Sequence, residues 1–144
     1  MKGGASAVAV ACLLVLLVGC APQDPVQSVL KERRLWKVDL LSFLVREDGK
    51  VSAQFRLTGP VKSNIDRLTV RIEQLDASGQ VLAVSWNAFD ISDVSRGGPV
   101  DQYLVLNAPS GGDEVDSLRV DPMWVPEPSD IQHIPELQGL ETAD

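Results

Sequence analysis

Cys20 closes an apolar run, in Leu17-Val18-Gly19-Cys20, and is the side chain best placed in this sequence for a covalent reaction. A thiolate is a strong nucleophile, so a covalent attachment to this sequence would form most readily there. Other reactive types are sparse. His133 is the single histidine, in Ser129-Asp130-Ile131-Gln132-His133-Ile134-Pro135, without the thiolate, nucleophile or base that a metal site or triad needs. Asp113-Glu114-Val115-Asp116 follows the flexible Ser110-Gly111-Gly112. A hard cation takes converging oxygens from such a turn, but the spaced ligands of a calcium loop are missing, so the segment reads as a solvated loop. There is no G-x-x-x-x-G-K run, Gly97-Gly98 precedes a strand rather than a helix, and Ser95 and Ser110 lack a nucleophile-elbow context. The expectation is a protein with no catalytic residues, no metal site and no cofactor.

The elements around Cys20 explain its position. Lys2 supplies a positive charge, and residues 7–18 form an uncharged apolar run of 12 residues. At 1.5 Å per residue that run reaches about 18 Å, short of the ~30 Å hydrocarbon core, which favours a secretory signal over a membrane span. The ending resembles the lipobox of bacterial lipoproteins. The resemblance implies cleavage between Gly19 and Cys20, removal of residues 1–19 with Cys12, and acylation of Cys20. It leaves neither a free thiol nor a disulfide, so the domain must rely on an ordinary core. Acyl chains contribute about 0.8 kcal/mol per buried CH₂, enough in combination for stable anchoring. In lipoproteins of this kind an Asp after the cysteine signals retention at the inner membrane, so with Ala21 the resemblance implies the outer membrane, facing the periplasm.

The chain has 144 residues, enough for one domain, and a net charge of −7 that argues against a nucleic-acid partner. That charge is not evenly spread. Residues 20–112 carry 11 basic and 11 acidic side chains, whereas residues 113–144 carry Arg119 against nine acids. Residues 20–34 read as a lipidated tether with a short helix, Asp24-Pro25 offering an N-cap and a first-turn proline. Val26, Val29, Leu30 and Arg33 share one face of it. The basic run Lys31-Glu32-Arg33-Arg34-Leu35-Trp36-Lys37 is either a solvated linker or a contact to anionic headgroups.

From residue 35 the pattern turns to strands. Residues 36–46 are apolar-rich and end in Glu47-Asp48-Gly49-Lys50, a hairpin signal. Val51, Ala53, Phe55 and Leu57 alternate with polar residues, as do Leu68, Val70 and Ile72. Asp76-Ala77-Ser78-Gly79 marks another turn. Further strands are predicted over 80–86, 100–107 and 115–121, with a seventh if 88–94 contributes. The fold class is all-β: a small antiparallel immunoglobulin-like sandwich over residues 35–125. Residues 126–144 form an acidic, proline-containing tail expected to be poorly ordered.

The stretch Phe55-Arg-Leu-Thr-Gly59-Pro-Val61-Lys-Ser-Asn64, followed by Leu68-Thr-Val70-Arg-Ile72-Glu-Gln-Leu75-Asp76-Ala-Ser-Gly79, resembles the FxLYD-type domain. The match runs over roughly residues 53–109, with Leu75-Asp76 in place of Tyr-Asp and a longer late loop before Tyr103. It implies an immunoglobulin-like sandwich in an exported protein and lends no catalytic residues.

With no chemistry in view, contact surfaces become the candidates. Trp86 ends an alternating strand and reads as core, whereas Trp36 and Trp124 are candidate exposed anchors, Trp124 in Pro122-Met123-Trp124-Val125-Pro126. The acidic tail offers Ile131, Ile134, Leu137 and Leu140 as anchors for a segment that folds onto a basic partner. The expected role is a non-catalytic adaptor or assembly factor bound to a membrane through its lipid and to an envelope protein. The alternative is a module binding glycan, peptidoglycan or a cation through exposed tryptophans or the 113–116 loop.

Overall fold

The structure, a computed structural model, describes residues 24–92 and 99–140. Gly19 and Cys20, the rest of the signal segment, and Ser95, Gly97 and Gly98 lie outside the described residues.

Helix α1 (Pro25–Arg33) starts as its sequence predicts. The Asp24 side chain accepts a hydrogen bond from the Val26 N–H at 3.0 Å, and Pro25 occupies the first turn where an N–H has no partner to lose. Lys31 and Arg33 in the last turn oppose the negative end of the helix dipole. Among the described residues no helix is long and apolar enough to cross a membrane.

Six strands follow among the described residues: β1 (Lys37–Val45), β2 (Val51–Thr58), β3 (Arg67–Leu75), β4 (Val81–Asp90), β5 (Val100–Leu106) and β6 (Ser117–Asp121). They form two antiparallel sheets, ordered β1-β2-β5 and β4-β3-β6. The chain builds the β1–β2 hairpin, crosses to build β3–β4, returns β5 to the open side of β2, and crosses again to lay β6 beside β3. The result is an interlocked all-β sandwich. Both hairpins turn where a left-handed residue is needed, at Gly49 (φ 81°) and Gly79 (φ 86°). Residues 88–90 belong to β4 rather than to a seventh strand, because Leu68, Thr69 and Arg67 of β3 extend the ladder to Phe89, Ala88 and Asp90.

The core lies between the sheets. Val51, Ala53, Phe55 and Leu57 of β2 face Leu68, Val70 and Ile72 of β3, and Phe55 meets Phe89 edge-on with ring centroids 5.5 Å apart. Strand β3 departs from simple alternation: Thr69 and Glu73, on the face opposite Leu68, Val70 and Ile72, are buried too. On that outer face Thr69 is covered by the carboxyl-terminal segment, through Glu136, and Glu73 is held by Arg71 and Arg119. Residues 126–140 are packed there through two short 3₁₀ turns, Ile131–His133 and Pro135–Leu137. They help build a second core of Met123, Ile134 and Leu137 against Val26, Val29, Leu30, Trp86 and Leu140.

Candidate functional site

The anchors read from sequence fall into two groups. Trp36 is 2% exposed, donates from Nε1 to Ser63 Oγ at 3.3 Å, and lies so close over Gly59 that a Cβ there would sit 2.4 Å from the ring. Ile134 and Leu137 are buried in the second core. Trp124 is half-buried, with the Arg33 guanidinium carbon 5.8 Å from its ring centroid. Only Ile131, at 36% exposure, still faces solvent. Trp36, Ile134 and Leu137 are therefore spent on the chain's own fold. A tail that carries Ile134 and Leu137 beside an open sheet face buries more apolar surface by docking in cis than by staying extended.

That docking is organised by a buried ion pair that no motif announced. Strand β6 ends at Asp121 because Pro122 has no N–H for the ladder and Met123 takes a left-handed turn (φ 51°). Two residues beyond the last registered pair, Arg71 with Asp121, Thr69 would face no strand partner on that side. Arg33 and Glu136 fill the gap. Arg33 Nη2 donates to Thr69 O and to Pro122 O, each at 2.7 Å, and Nη1 donates to Met123 O at 3.2 Å. The Glu136 carboxylate accepts from Thr69 N–H at 2.7 Å and from Thr69 Oγ1 at 2.6 Å, and lies 3.2 Å from Arg33 Nε. Burial draws the Arg33 guanidinium below its ordinary value, while the charges of Glu136 and Asp121 oppose that shift. The one available sequence signal was an arginine on the same helical face as Val26, Val29 and Leu30.

Among the described residues, nothing covers the outer face of the first sheet in this way. Across β1, β2 and β5 the register aligns Leu44 with Ser52 and Val105, and Ser42 with Gln54 and Tyr103. Leu44, Tyr103 and Val105 are 67%, 74% and 57% exposed. They rise around a floor of Ser42, Ser52 and Gln54, leaving an open groove of about 470 Å³. A third row closes one end with Asp39, Arg56 and Asp101. Arg56 binds Asp101 through Nε at 2.8 Å and Nη2 at 3.1 Å. This hydrogen-bonded pairing holds the Asp101 carboxyl below the usual carboxylate range and raises Arg56 further. The sequence signal was there in phase: Tyr103 and Val105 are apolar on the face opposite Leu104 and Leu106.

The remaining candidates are brought together with nothing reactive. His133 stacks on Trp86, ring centroids 3.9 Å apart and planes 18° from parallel. Asp113, Glu114 and Asp116 are exposed. Among the described residues no three His, Cys, Asp or Glu side chains converge as metal ligands.

The chain matches no family model and no curated protein sequence. Among solved structures it is similar to IrmA from Escherichia coli, at 19% identity over 59% of this chain and 71% of that one, with a TM-score of 0.40.

Proposed function

We propose that this chain is an exported lipoprotein, anchored through Cys20 at the outer membrane and facing the periplasm, that acts as a non-catalytic adaptor or assembly factor for an envelope protein. The observation that carries this reading is the outer face of the first sheet, which no described residue covers. The solvent face of an antiparallel sheet ordinarily carries polar side chains, and apolar groups gathered around a groove mark a contact surface. The partner this groove fits is a protein segment that seats aliphatic side chains between Leu44 and Tyr103. Its polar groups would then meet Ser42, Ser52 and Gln54.

The test is in-cell crosslinking with quantitative mass spectrometry, comparing wild type with Leu44→Asp/Val105→Asp. One dominant envelope partner, lost in the variant, is the expected outcome. A partner profile indifferent to the substitutions would sink the assignment of this face. Anchoring is checked separately, by incorporation of an alkyne-tagged palmitate that disappears in Cys20→Ser.

The alternative, a glycan-binding module, keeps one support: the exposed Tyr103 ring beside the Gln54 amide. Trp36 and Trp124 no longer offer it an open stacking face. Shifts of Tyr103 resonances on adding peptidoglycan fragments, with no protein partner captured, would favour it.

A further inference from the structure

Four strands carry the free edges of the two sheets: β1 and β5 of the first, β4 and β6 of the second. Three of them are blunted in the ways natural sheets use to prevent edge pairing. Strand β1 has a register break at Leu41 and carries Lys37 and Asp39. Strand β5 carries Asp101, and β6 is five residues long and runs into Pro122. Strand β4 is different. It is ten residues long, and from Val81 to Phe89 it reads VLAVSWNAF, with no charge and no proline. Its one register irregularity lies at its beginning, opposite Gln74 and Leu75.

The direction of its backbone groups follows from β3. Thr69 turns its N–H and C=O away from β4, to Glu136 and Arg33. By the two-residue period, Leu68, Val70 and Ile72 turn theirs toward β4, where they meet Phe89, Asn87 and Ser85. Val84, Trp86 and Ala88 therefore point their N–H and C=O groups to the open side. Asp90 shows the same direction, since its outward carbonyl accepts from Gln102 Nε2 at 2.7 Å. That bond closes the edge at one end, and among the described residues the stretch before it has no strand partner.

We propose that β4 is a self-association edge, on which a second copy of this chain lays its own β4 antiparallel about a two-fold axis at Ser85. With the axis there, Val84 exchanges hydrogen bonds with the partner's Trp86, and Trp86 with the partner's Val84. Side by side they form an aromatic and β-branched cross-strand pair. An axis at Asn87 would instead bring Asp90, whose carbonyl is already taken, into the ladder. A second copy suits this edge because an uncharged strand meets itself with no like charges opposed. The two three-stranded sheets join into one of six strands.

The axis places the two copies of Ser85 in a non-hydrogen-bonded pair, with Cα atoms about 4.5 Å apart, within the range a disulfide spans. The experiment uses the full chain expressed in a bacterial envelope, with Ser85→Cys, a mild oxidant, non-reducing gels and mass spectrometry. Ser78→Cys and the unsubstituted chain are the controls. The expected result is a disulfide-linked peptide joining two copies at position 85, absent from both controls. Adding Val84→Pro removes an outward N–H that β3 does not use, so the fold persists while the crosslink falls at least tenfold. Val84→Lys gives the same readout if the proline variant fails to fold. No crosslink at position 85, a crosslink to a different protein, or a crosslink untouched by both Val84 variants overturns the proposal.

Discussion

Arg33 and Glu136 divide between them the two backbone groups of Thr69, the arginine taking its carbonyl and the glutamate its N–H. Two side chains from opposite ends of the described chain thus occupy the place where β6 would have continued. They satisfy a strand edge that would otherwise be buried and unpaired, at about 1–3 kcal/mol for each orphaned group.

Removing one partner of this pair is expected to be severe. Glu136→Ala leaves a buried guanidinium and an unpaired Thr69 N–H, and the cost should be about 3–5 kcal/mol. Urea denaturation measures it. Arg33→Met/Glu136→Leu removes both charges but restores neither Thr69 bond. It should therefore recover part of the loss and stop short of wild type. Full recovery would show that Thr69 does not depend on the pair.

Gly59 and Gly79 should respond differently to alanine. At Gly59 the new Cβ would overlap the Trp36 ring, so the ring must move, at about 1–3 kcal/mol, and tryptophan emission should shift to the red. At Gly79 the space is open and only the positive φ resists, so about 1–2 kcal/mol is lost with emission unchanged. Fluorescence during thermal melts separates the two.

Asp101 provides a pH test. Its carboxyl is held below the ordinary range chiefly by its hydrogen bonds from Arg56. A carboxyl lowered in the folded state contributes stability above its unfolded value and loses it as pH falls through the folded value. Arg56→Gln should therefore move the Asp101 titration upward toward pH 4, read by carboxyl NMR. Because the pair is exposed, the melting temperature at neutral pH should hardly change. An Asp101 titration unmoved by the substitution would refute the pairing.

His133→Ala should cost about 0.5–1.5 kcal/mol beyond lost burial, through loss of its stacking on Trp86, and should loosen the tail. Faster amide exchange at residues 131–137, with β1 and β2 protection intact, is the expected signature.

The strands were legible because their apolar residues keep a period of two. Val51 to Leu57 gave β2 outright, and Asp48-Gly49 and Ser78-Gly79 gave the hairpin turns. The helix was legible from Asp24-Pro25. The destination of the tail was not. Ile134 and Leu137 read as anchors for a basic partner, and nothing local reveals that the basic group they bring their segment to is Arg33 of the same chain. Nor does a period of two reveal that Thr69 and Glu73 are buried, since burial on the outer face depends on what arrives later to cover it. The groove of Leu44, Tyr103 and Val105 needs the register of three strands, which no single segment encodes.

The ion pair also bears on the order in which the chain is made. Every strand has emerged by Asp121, yet Arg33 has then no carboxylate from Glu136 to receive it, and Thr69 still lacks its acceptor. A chain at that point has its described strands but lacks the carboxylate and the tail that close the second core. Chains cut short before residue 136 would thus leave the outer face of the second sheet without this cover and open to proteolysis, although their strands are all present.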